Sequence, residues 1–249
     1  MRTHIYFLLL LSFFLARSGL MAQQHHLSIG GQYHQIKDAF NYGYVFHGPG
    51  LDIAYRFEKV WGKQHLQYQG SLSFGLNFKK GMGLNLGFSP IDLFYGYQLS
   101  KSESRLVLGA YISDTYSWQL YPSLQSGHLF WFTSIELGPK IDWTVAIKKH
   151  RLRFQLANSL IGFSSRPEAG TEVYFYDRSL HHFIAFAHRQ LHFGSFNQFN
   201  RTVFDLEWQR ETNKRFYIGY SFEYYGYYKN PKLSYLSHAL RLRCKIGKL

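Results

Sequence analysis

The chain has one cysteine, Cys244, in 249 residues, and one thiol closes no internal disulfide. It also lacks, past its first two dozen residues, any uninterrupted apolar run near the roughly 20 residues that a membrane helix needs. A helical membrane domain is therefore excluded. Acidic residues are scarce, 15 against 28 Lys and Arg, for a formal charge of +13. That imbalance invites a nucleic-acid reading until the positions of the charges are considered.

The first residues, MRTHIYFLLLLSFFLARSGLMAQQ, place Arg2 and His4 before an apolar run from Ile5 to Leu15, and Met21-Ala22-Gln23 follow. A basic start, a short apolar middle and Ala at the cut form the pattern of a secretory signal peptide. We expect a leader over 1–22 and an exported domain over 23–249. No cysteine stands at the cut, so no lipid anchor is expected.

What the chain has in quantity is aromatic side chains, 20 Tyr and 23 Phe, 19% of residues with Trp. They fall in alternating segments. In TSIELGPKIDWTVAI, Ile135, Leu137, Ile141, Trp143, Val145 and Ile147 share one parity, and Glu136, Lys140 and Asp142 the other. Successive side chains of a strand point to opposite faces, so period-2 alternation reads as strand. Ten such segments lie near 26–35, 50–59, 64–79, 83–99, 104–114, 129–147, 151–162, 201–210, 215–226 and 233–247. In the fourth the apolar parity changes at Ser89-Pro90, as a β-bulge would produce.

Charges of both signs collect on one parity in equal number: Asp52, Asp92, Glu58, Glu136, Asp142, Asp205, Glu207 and Glu223 against Arg56, Arg105, Lys140, Arg151, Arg153, Arg241, Arg243 and Lys245. The other parity carries none within the strands. A soluble sandwich also alternates. These strands, however, reach the 9–11 residues that cross a bilayer at a tilt, and a charge on a lipid face costs about 2–4 kcal/mol at mid-membrane. The expected fold is all-β, a closed antiparallel transmembrane barrel of about ten strands with apolar residues toward lipid. A barrel of that size is little wider than its side chains, and unpaired buried charge is costly. The lumen is expected to be a salt-bridged plug, and a narrow channel would need a path past Arg153, Glu136 and Arg241.

Connections alternate between short polar turns at 59–63, 100–104, 148–150 and 211–214 and generally longer ones near 36–49, 80–82, 115–128, 163–200 and 227–232. In outer-membrane barrels the short turns face the periplasm, which would also hold both termini. The 163–200 stretch contains SLHHFIAFAHRQLHF, with apolar residues at helical spacing, and is read as a short helix in a long extracellular loop. The alternative is an added hairpin and twelve strands. The excess positive charge then falls on the two rims, where Lys and Arg meet lipid phosphates, and no nucleic-acid partner is expected.

Candidate chemistry gathers in the same loop: Asp177, Ser179, His181, His182, His188 and His192. His188 and His192 are four apart, a spacing that can hold a metal only with a third ligand, and no metal or cofactor is expected. Barrel hydrolases use Ser or Asp with His at the outer rim, but no His-x-Ser-Asn block is present. A lipid hydrolase or protease with its site in 163–200 is the alternative to a non-enzymatic barrel. Tyrosines at strand ends, EYYGYYKN among them, read as an aromatic belt. Tyr42, Tyr44 and Trp118, assigned to loops, are the surface-binding candidates.

The MAQ ending of the leader, the aromatic alternating strands and the long His- and Tyr-rich loops resemble the small outer-membrane β-barrel proteins of Bacteroidota. The resemblance covers the whole mature chain and implies an outer-membrane location among lipids that include lipopolysaccharide. Its expected role is structural, surface-binding or that of a subunit with a protein partner in the outer membrane or periplasm. It transfers no functional residue.

Overall fold

The computed structural model describes residues 22–79, 81–100, 104–122, 129–167, 191–212 and 215–246. Twelve strand segments run β1 (Ala22–Asp38), β2 (Val45–Trp61), β3 (Gln64–Phe78), β4 (Met82–Gln98), β5 (Ser104–Leu120), β6 (Leu129–Ile147), β7 (His150–Asn158), β8 (Ile161–Ser165), β9 (His192–Ser195), β10 (Phe199–Arg210), β11 (Phe216–Tyr227) and β12 (Leu233–Ile246). All pairings are antiparallel. β1 pairs with both β2 and β12, and the β5–β6 pairing closes the sheet.

The segments make ten staves. β7 and β8 pair with successive stretches of β6, so β8 continues β7 past an interruption at Ser159-Leu160. Likewise β9 pairs with β8 and β10 with β7, so β9 and β10 form the next stave. The chain is thus a closed ten-stranded barrel.

The β2–β3 and β6–β7 reversals, at the end where β1 begins, are tight. Between β2 and β3, Gly62 takes φ +60°, a conformation only glycine adopts at no steric cost. The parity change at Ser89-Pro90 is a register irregularity between Phe88 and Ile91 against β5, and a second lies between Gln69 and Ser71.

The outer wall is apolar. Leu156 is 44% exposed and Ile218 53%, whereas Glu136 is 1% exposed. Tyr33 and His238 are cross-strand partners. The Tyr33 hydroxyl meets His47 Nδ1 at 2.7 Å and the Tyr220 hydroxyl meets His238 Nδ1 at 2.5 Å. Nearer the turns, Tyr55 pairs with His25 Nδ1 at 2.7 Å. In each pair the polar atoms satisfy one another on an apolar wall. His25 and Tyr33 are eight residues apart on β1, roughly 26 Å along the strand and roughly 20 Å along the axis at a tilt of about 40°. Leu27, Ile29 and Gly31 fill the band between them, close to the height of an outer-membrane barrel's hydrophobic belt.

Several strands extend further than their alternation indicated. Trp118 lies in β5 and not in a loop. Strand pairing also enters the 163–200 stretch at both ends, through β8 and β9. The helix expected there and the added hairpin starting at EVYFY lie outside the described residues.

Candidate functional site in the barrel lumen

Inward positions recur every second residue, so adjacent inward side chains on one stave form a ladder up the lumen. On β2 this puts Asp52, Arg56 and Glu58 inside, all buried. Nearest the turns, Arg153 reaches across the lumen. Its Nη1 donates to Glu58 Oε1 at 2.5 Å, and its Nε and Nη2 fork onto Asp142 at 2.9 and 2.6 Å. Arg56 Nη1 donates to Glu207 Oε1 at 2.8 Å, and Arg243 donates to the same oxygen. Gln67 Oε1 accepts from Arg153 and Gln155, and His65 lies 3.6 Å from Asp142 and 3.8 Å from Glu58.

One level up, Arg241 forks onto Asp52 at 2.6 and 3.1 Å and reaches Asp205 at 3.4 Å. Lys140 lies 3.7 Å from Asp92. Higher still, Arg201 donates to Glu223 at 2.6 Å, to Glu136 at 2.7 Å and to the Ser113 hydroxyl at 3.1 Å. Glu136 accepts a further bond from the Tyr111 hydroxyl. Paired and bidentate guanidinium–carboxylate contacts offset the desolvation that a lone buried charge would suffer.

The top of the lumen is aromatic instead. Ile36, Phe132, Phe199, Tyr225, Tyr227, Leu233 and Tyr235 form one buried cluster, and Phe46, Tyr121 and Phe130 another. This corrects the belt reading of EYYGYYKN, because Tyr225 and Tyr227 point inward while Tyr228 is exposed. Asp38 and Arg166 pair at 2.8 Å among these rings, the guanidinium resting over Phe40 and Tyr227. Burial, with Asp38 nearby, drives the Tyr121 hydroxyl well above its ordinary range. Partial desolvation beside Tyr224 and the bond to its hydroxyl push Tyr228 up to about 12.

Two of the cavities among the described residues bear on this packing. One of about 70 Å³, lined by serines and by Asp52, Lys140, Arg201 and Arg241, lies between the ionic levels. The other, about 370 Å³, lies at the turn end below Arg153.

Of the sixteen charged residues assigned to the inward face, all but Arg151 and Lys245 engage in ion pairs: Asp52, Arg56, Glu58, Asp92, Arg105, Glu136, Lys140, Asp142, Arg153, Asp205, Glu207, Glu223, Arg241 and Arg243. Arg151 instead stands exposed at the turn-end rim of the larger cavity. Arg201, which shares the parity of Asp205 and Glu207, joins the network as well. Tyr42 and Tyr44 touch each other, ring centroids 6.2 Å apart, with Tyr42 in the left-handed region at φ 56°. Trp118 belongs to a separate outward cluster with Phe88, Tyr116 and Trp131. Asp177, Ser179, His181, His182 and His188 lie outside the described residues. His192 is exposed at the start of β9, opposite Ser164. Among the described residues no group of three or more His, Cys, Asp or Glu is arranged to hold a metal.

No family model matches the chain, and no curated protein matches it. Solved structures do. The outer membrane protease OmpT of Escherichia coli superposes with a TM-score of 0.50 at 6% identity, over 92% of this chain and 99% of that one. The translocator domain of autotransporter NalP from Neisseria meningitidis gives 0.45 at 8% identity, over 98% and 95%. Neisserial surface protein A gives 0.39 at 7%, over 90% and 99%. At 6% identity the likeness to OmpT is one of fold, and the fold is that of an outer-membrane β-barrel.

Proposed function

We propose that the chain is an outer-membrane barrel with a closed lumen, working at the membrane as a structural, surface-binding or complex-subunit element and not as a conduit or an enzyme. The observation that carries this reading is the brace from Arg153 to Glu58 and Asp142, backed by Arg56–Glu207 and Arg241–Asp52. A path for solutes past these residues requires breaking buried, bidentate ion pairs, while a closed barrel leaves them intact. On this reading the leader over 1–22 is removed, the turns and termini face the periplasm, and the longer loops meet lipopolysaccharide and partners outside. The aromatic strands are consistent with the small barrels of Bacteroidota.

The test is reconstitution of the folded protein into planar lipid bilayers. A closed barrel gives no discrete unitary current, whereas a stable open level lasting seconds overturns the reading. A stoichiometric companion in pull-downs from detergent-solubilised membranes would single out the subunit role.

A further inference from the structure

The cavity of about 370 Å³ at the turn end has an unusual charge balance. Its wall carries Arg105, Arg151, Arg153 and Arg243 against Glu58 and Glu207. With the groups directly behind them, Arg56 and Asp142, five guanidiniums face three carboxylates. Each carboxylate is already shared. Glu207 takes Arg56 and Arg243, Glu58 takes Arg153, and Asp142 takes the Arg153 fork with Arg105 at 3.7 Å. Two positive charges are left over, and Arg151 has no carboxylate partner among the described residues.

Donors are left over as well. Arg243 is 5% exposed and lines the cavity. Its Nε has no hydrogen-bond partner among the described residues, and neither has the buried Nε of Arg105 on the same wall. Buried guanidinium donors left unmatched cost more than a lost neutral bond. Water can satisfy the donors but leaves the two charges unbalanced. A space of this volume, enough for about a dozen waters, also admits a small polyatomic anion.

We propose that this mouth binds a small dianion bearing a phosphate group. Guanidinium forks match phosphate oxygens bidentately, and a phosphate group carries about −1.5 to −2 at neutral pH, which is the surplus to be balanced. A single carboxylate would neutralise only half of it. The phosphate would enter past Arg151 at the rim and meet Arg105 and Arg243 inside. Its source is either free phosphate or the phosphomonoester headgroup of a phosphatidic acid, both of which carry the second charge, and the chemistry of recognition is the same for both.

Calorimetric titration of the folded protein in an uncharged detergent tests this, with inorganic phosphate in one arm and short-chain phosphatidic acid in the other. One saturable site is expected, at least tenfold weaker in Arg151→Gln and in Arg105→Gln. Response to phosphate alone identifies a soluble ligand, and response to the lipid identifies a headgroup. Arg151 is exposed, so Arg151→Gln decides the matter even if Arg105→Gln fails to fold. No saturable binding in either arm overturns the proposal. So does an Arg151→Gln protein that binds like the parent, or an equal loss in Lys148→Gln/Lys149→Gln, which would mean diffuse rim charge.

Discussion

Arg153 on β7 holds Glu58 on β2 at 2.5 Å, although those two staves stand five steps apart in either direction around the ring. The pair therefore spans the full diameter of the lumen, and the same guanidinium also grips Asp142. Removing it leaves two buried carboxylates without their principal cation. Arg153→Ala is expected to destabilise the folded barrel by about 3–5 kcal/mol, read as a lower denaturant midpoint of the detergent-folded protein. Lys149→Ala, at an exposed turn, should stay within about 0.5 kcal/mol. Equal midpoints would mean that the brace contributes nothing.

Ile29 is midway between His25 and Tyr33 on β1 and 55% exposed on the outer wall. If hydrocarbon covers that wall, Ile29→Arg costs about 2–4 kcal/mol of folding stability in lipid vesicles. Lys37→Glu, beyond the Tyr33 level, should be near neutral. A tolerated Ile29→Arg would remove the wall from the bilayer.

Trp143 is 44% exposed on the same wall and Trp131 is 5% exposed. In vesicles of brominated lipid the parent's fluorescence should be strongly quenched. Trp143→Phe should lower the quenched fraction, and Trp131→Phe should not lower it. The reverse order would place the lipid boundary elsewhere.

Gly138 stands where β6 changes partner from β7 to β8. A Cβ there would meet the Asn158 carbonyl oxygen at 1.9 Å, so the interruption at Ser159-Leu160 depends on a residue without one. Gly138→Ala is expected to cost on the order of 1–3 kcal/mol. Gly31→Ala, where a Cβ meets nothing within 4 Å, should cost far less. The difference between the two denaturation midpoints is the measurement.

The faces of the strands were legible because period-2 alternation is local: Glu136 and Ile135 take opposite sides whatever the rest of the chain does. The slip at Ser89-Pro90 was legible for the same reason. What a strand meets beyond the membrane band is not local. β5 runs on to Leu120 because β6 pairs with it there, which is why Trp118 was placed in a loop. Tyr225 and Tyr227 share the parity of Glu223, yet nothing near them in sequence distinguishes an inward plug from an interfacial belt. Arg201 and Arg166 find Glu136 and Asp38 at separations of 65 and 128 residues. The cavity at the turn end exists only because inward arginines of β5, β7 and β12 meet there, and each strand alone contributes only one or two of them.

The ionic braces also bear on biogenesis. Arg153–Glu58, Arg56–Glu207 and Arg241–Asp52 join positions 95, 151 and 189 residues apart; the first two cross the lumen, and the third bridges the seam where β12 pairs with β1. A half-built sheet cannot form them. Until β12 zips onto β1, those guanidiniums and carboxylates need water, so the nascent protein must keep its concave side wet during insertion. Closing that last seam and drying the interior are therefore one cooperative event.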